Sequence, residues 1–72
     1  MRFRVKYYVD TRLIHTDDTD NTPMMRACQT VADKIGANRF DIHDSESKQF
    51  KRVRRVGGAW NSNMVRREQA VR

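Results

Sequence analysis

The sequence predicts a small α+β domain of order β-β-α-β-β, with one helix packed on one face of a mostly antiparallel sheet. Three observations lead there. Residues 2–9 alternate apolar and basic side chains with a period of two, residues 22–36 carry an apolar stripe at helical spacing between a start and a stop signal, and residues 39–56 hold two more alternating segments. A chain of 72 residues forms one domain with one thin core, because a domain this short buries only roughly 60% of its unfolded surface.

In the first strand Phe3, Val5, Tyr7 and Val9 share one face, and Arg2, Arg4, Lys6 and Tyr8 share the other. Asp10-Thr11 marks a tight turn into a second, short strand over Arg12–Thr16, and Asp17–Asn21 reads as a polar acidic loop. The helix is expected over about residues 23–35. Thr22 serves as N-cap and Pro23 as first helical residue, since the missing N–H of proline has no helical partner there anyway. Met24, Ala27, Cys28, Val31 and Ile35 form its apolar stripe, Met25 is half exposed, and Gly36 takes the left-handed position past its end.

The third strand is expected over Arg39–Asp44, with Phe40 and Ile42 on one side and Asp41 and His43 on the other. A loop at Asp44–Lys48 leads to a fourth strand over Gln49–Val56, ended by Gly57-Gly58. With Val53 facing the core, Lys51 and Arg55 share its side while Arg52 and Arg54 point outward. Phe50 then points outward too, unless a bulge turns it in. Residues 1–60 make the domain, and residues 61–72 form either a short basic helix or a disordered tail.

The formal charge is +6 and unevenly spread, with −3 over residues 10–20 and +7 over residues 48–72. Such polarity steers polyanions or acidic protein surfaces to one side of a molecule. No apolar run approaches the ~20 residues of a membrane span, and Arg2, Arg4 and Lys6 interrupt any signal-peptide core. The single cysteine, Cys28, excludes an internal disulfide and points to a reducing, cytoplasmic setting.

No catalytic constellation emerges. Cys28 falls on the apolar stripe, where a thiol acts as a small hydrophobe. Asp18-x-Asp20 lacks the glycine and distal glutamate of a calcium loop, and no His or Cys pair has zinc spacing. The chain is therefore expected to be non-enzymatic, without metal, cofactor or small-molecule substrate. The strongest feature is the run Lys48, Lys51, Arg52, Arg54 and Arg55, followed by Trp60 and by Arg66 and Arg67. Cations beside a stacking aromatic suit phosphate contacts, while Trp60 equally suits core packing.

If the first and fourth strands lie close together, Arg2, Arg4, Lys6 and Tyr8 join Arg52 and Arg54 in one basic, partly aromatic surface. Two functions fit. One is a regulator that docks its basic patch on an acidic surface of the transcription or nucleic-acid machinery. Phage-encoded modulators of host RNA polymerase share this size and charge, without any motif match. The other is a nucleic-acid-binding module of weak sequence specificity. The acidic segment at 17–20 favours the first, and Arg52 and Arg54 are expected to serve binding rather than stability.

Overall fold

The computed structural model describes residues 2–66. Five strands and one helix follow in the order β1 (Phe3–Val9), β2 (Arg12–Thr19), α1 (Met25–Ile35), β3 (Arg39–Asp44), β4 (Gln49–Val56) and β5 (Ala59–Arg66). The strands form one sheet, β2-β1-β3-β4-β5, in which every pairing is antiparallel. The α+β class and the single helix on one face agree with the sequence reading; the fifth strand adds to it.

The core lies between α1 and one side of the sheet. Val5 and Tyr7 of β1, Phe40 of β3 and Val53 of β4 are buried against Cys28 and Ala32 of the helix and Ala37 beyond it. Side chains of this size contribute about 1.5–3 kcal/mol each when fully buried. Ile42, Met25, Val31 and Trp60 pack around the cluster. Trp60 is part of this packing, its ring 5.3 Å from that of Phe40.

Three details differ from the sequence expectation, and a fourth decides an alternative that it left open. First, α1 begins at Met25, and Met24 occupies the N-cap without a side-chain cap, so Thr22 and Pro23 precede the helix. The buried stripe runs through Cys28 and Ala32, with Met25 packed beside it and Met24 exposed. The helix is turned by about one residue because Ala32 lets it approach the sheet closely, which a stripe drawn through the larger side chains misses.

Second, β2 continues to Thr19 instead of ending at Thr16. Asp17 and Asp18 lie on this strand rather than in a loop, because β1 offers Arg4 directly opposite Asp18. Like cross-strand charges would disfavour such a ladder, whereas opposite ones support it. The register shifts once, where Tyr7 faces His15 and Tyr8 faces Leu13. The extra residue, Ile14, reaches the core edge.

Third, residues 61–66 are strand, not helix or tail. Gly57 and Gly58 have φ of 58° and 84°, and they join β4 to β5 as a two-residue hairpin turn between Val56 and Ala59. Positive φ at both central residues matches the right-handed twist of paired strands, and glycine adopts it without strain. Residues 67–72 lie outside the described residues. Fourth, the β3–β4 register runs without a bulge, from Asp44 opposite Gln49 to Arg39 opposite Arg54. Phe50 therefore points away from the helix. No helix among the described residues is long and apolar enough to cross a membrane.

Candidate functional site

The face of the sheet opposite α1 carries no second layer among the described residues, and strict alternation decides which side chains it presents. Three rows cross it from β1 through β3 to β4: Arg4, His43, Phe50; then Lys6, Asp41, Arg52; then Tyr8, Arg39, Arg54. Strands β1 and β4 are not neighbours, but β3 between them adds Arg39, Asp41 and His43 to the same surface. The expected union of Arg4, Lys6 and Tyr8 with Arg52 and Arg54 is thus formed, with a third strand inside it.

Aromatic groups punctuate the rows. The His43 and Phe50 rings stack at 4.9 Å with 22° between their planes, and the Arg52 guanidinium lies 5.3 Å from the Phe50 ring. At the other end Arg39 lies over the Tyr8 ring at 3.8 Å. An aromatic ring attracts a cation held over its face, so each pair is favourable in itself.

At the centre Asp41 is only 2% exposed, although it points to the uncovered side. Arg52 donates to both its oxygens, Nε to Oδ1 and Nη2 to Oδ2, each at 3.2 Å. Arg39 Nε stands 3.6 Å from Oδ1. A buried carboxylate is tolerated only when paired and hydrogen-bonded, and these two arginines supply that pairing while shielding it from water. Asp41 in return fixes the Arg52 guanidinium at two points, while Arg39 adds charge without a hydrogen bond, its buried Nε having no hydrogen-bond partner among the described residues.

Beyond the first row lies a hollow of about 500 Å³ bounded by Arg2, Arg4, Lys6, Lys48, His43 and Ser45, with Asp18 at its side. Arg4 donates through Nε and Nη2 to Asp18 at 2.7 and 3.2 Å, which holds the Asp18 carboxyl below its ordinary range. Arg2 pairs in the same way with Asp44, at 3.2 Å for both contacts. Mainly through that hydrogen bond, the Asp44 carboxyl is lowered to about 2. Among the described residues no carboxylate lies within ion-pair distance of Lys6, Lys48 or Arg54. The face keeps a surplus of positive charge after its internal pairs are formed.

Several residues singled out in the sequence stand elsewhere. Lys51 lies on the helix side, at an apolar hollow with Phe3, Met25 and Ile42. Arg55 is on that side too, where it donates to Asp33 of α1 at 2.8 Å and lies 5.4 Å from the Trp60 ring. Trp60 belongs to the core edge. Arg66 stands opposite Gln49 in the β4–β5 ladder, and Arg67 lies outside the described residues. Sequence reasoning left Arg39, Asp41, His43 and Phe50 out of the binding surface. The signal was present, since Asp41 and His43 alternate with Phe40 and Ile42 and Phe50 was expected to point outward in the absence of a bulge.

Cys28 and Tyr7 are both buried in the core. Burial, foremost, raises the pKa of both, so Cys28 is held as a neutral thiol. Comparison with protein-family models, with curated protein sequences and with solved structures finds no match to this chain.

Proposed function

We propose that this protein is a binding module whose uncovered sheet face takes single-stranded nucleic acid. The observation that carries the reading is the spread of Tyr8, His43 and Phe50 over three adjacent strands of one basic surface that no second layer covers among the described residues. Bases offer their faces to protein aromatics only when unpaired. A sheet that combines stacking rings with flanking cations binds such strands with little dependence on sequence. In this reading His43 and Phe50 form one stacking platform, Tyr8 backed by Arg39 forms another, and Lys6, Arg54 and Lys48 meet phosphates.

A second reading keeps one specific observation. Arg2, Arg4 and Arg52 are already ion-paired within the chain, which leaves a mosaic of both signs. Such a mosaic suits an acidic protein surface, including one on the transcription machinery. The first reading is preferred because an acidic protein partner gives no reason for the aromatic groups.

Fluorescence anisotropy with labelled single-stranded RNA and DNA separates the two. Loss of one stacked base costs about 1–3 kcal/mol, so Phe50→Ala should weaken binding about 5- to 150-fold. Removing one phosphate contact by Lys6→Ala or Arg54→Ala should reduce the slope of log K against log salt by about 0.7. If these variants bind as the parent does, or no oligonucleotide binds, the single-strand reading is wrong. Capture of a discrete protein complex that survives nuclease, and is lost in Lys6→Ala/Arg54→Ala, would establish the second reading.

A further inference from the structure

We infer that the hollow beside Lys48 receives the terminal phosphate monoester of a nucleic-acid strand, so that the protein holds strand ends. The inference rests on the single-strand reading and names the part of the strand that is recognised. Charge is the first argument. Four cations, Arg2, Arg4, Lys6 and Lys48, line the hollow. Arg2 is paired with Asp44 and Glu46 and Arg4 with Asp18, so among the described residues Lys6 and Lys48 bring two uncompensated positive charges to it. An internal phosphodiester carries a single negative charge, whereas a terminal monoester carries about −1.5 to −2 near neutral pH and has three acceptor oxygens. Clustered cations of this number favour the more highly charged group.

Position is the second argument. His43 lines the hollow and also stacks on Phe50. Arg4, His43 and Phe50 stand directly opposite one another across three neighbouring strands. With strands about 4.8 Å apart, the platform and the hollow are about one nucleotide's reach from each other. A base stacked on the platform therefore brings its own phosphate to the hollow.

The third argument is the wall. Ser45 and Lys48, from the turn between β3 and β4, close one side of the hollow. That turn is fastened down. Ser45 donates through both its backbone N–H and its hydroxyl to the Arg2 carbonyl at 3.0 Å, and the Lys48 N–H donates to the Asp44 carbonyl at 3.0 Å. A strand that entered over Phe50 meets this wall and ends there. Lys48 itself sits at φ 57°, a left-handed conformation in which glycine is unstrained and lysine is not. Lys48 is one of the residues that line the hollow.

The test compares short single strands that differ only at the end: 5′-phosphate, 3′-phosphate or hydroxyl at both ends. Each is titrated by anisotropy into the parent protein, Lys48→Gly and Phe50→Ala. One phosphorylated end should bind about tenfold or more tighter than the hydroxyl strand, as a charge-assisted contact requires. Lys48→Gly, which relieves the backbone, should melt no lower than the parent and bind all three strands alike. Phe50→Ala should weaken all three together. Equal affinities for all three strands in the parent overturn the inference, as does a preference that survives in Lys48→Gly. If the hydroxyl strand still binds in a Phe50-dependent way, the reading of the face stands without the hollow. If no strand binds, both fall.

Discussion

Replacing Asp41 by asparagine tests the reasoning about the uncovered face most directly. The substitution keeps the shape of the side chain but removes its charge, and it turns one oxygen into an N–H₂ group aimed at the donors of Arg52. Breaking a buried ion pair costs about 3–5 kcal/mol when the remaining charge is trapped. Here the stranded groups are the Arg52 and Arg39 side chains, 30% and 17% exposed, and each can turn partly into water. The expected loss is therefore smaller, about 2–3 kcal/mol, near the value of hydrogen bonds to a charged group. For a domain of this size that lowers Tm by about 10–20 °C. Urea unfolding followed by Trp60 fluorescence measures it, since the single tryptophan packs on Phe40. Asp18→Asn is the control. It breaks an ion pair of the same type at a site where Arg4 is 56% and Asp18 37% exposed, and it should leave the midpoint nearly unchanged. If Asp41→Asn costs no more than Asp18→Asn, the account of a central anchored carboxylate is refuted.

Two further predictions concern the turns. Gly58 holds φ 84° with nothing within 4 Å of where a Cβ would stand, so Gly58→Ala should cost about 1–2 kcal/mol through the backbone alone. A synthetic chain with D-alanine there should lose no stability, and equal melting of the L and D forms would contradict the hairpin assignment. The Asp44 carboxyl, lowered from 3.8 to about 2 chiefly by its hydrogen bond from Arg2, stabilises the fold in its ionised form. Its contribution is complete above pH 3.8 and is lost as pH falls towards about 2. Arg2→Gln should flatten the melting-temperature profile across that interval, and an unchanged profile would show that Asp44 is held by something else.

The sequence made β1, β3 and β4 legible through their alternation, which also assigned Arg4, Lys6, Arg52 and Arg54 to a common side, and Asp10-Thr11 marked the turn into β2. What it concealed depends on partners in space. The length of β2 is set by Asp18 meeting Arg4, which no local pattern around Asp17–Asn21 reveals. The fifth strand hid behind Asn61–Asn63, a run of polar residues that reads as a helix cap and shows no alternation. Gly57-Gly58 was nonetheless a hairpin signal and not merely a break. The helix stripe was misplaced by one residue because Met24 outweighs Ala32 in hydrophobicity, whereas close approach to the sheet selects the smaller side chain. In the candidate site the missing piece was β3, since adjacency of strands is not written in their sequences.

The treatment of the uncovered face has a consequence for anyone who alters its charge. The side chains of Arg39 and Arg52, with Asp41 sealed beneath them, act as a thatch: a thin cover of arginine stems doing for this carboxylate what a second helix would do. Positive charge and shelter are therefore supplied by the same side chains. Neutralising Arg39 or Arg52 strips the roof along with the charge, which makes the pair Arg52 and Arg54 an ambiguous probe of binding. Lysine is a poor replacement at either position, since it offers neither the flat plane nor the paired donors that Asp41 requires. Lys6 and Arg54 stand outside the thatch, so replacing them tests binding without uncovering Asp41. A surface built in this way can vary in sequence at its margins while its centre stays fixed.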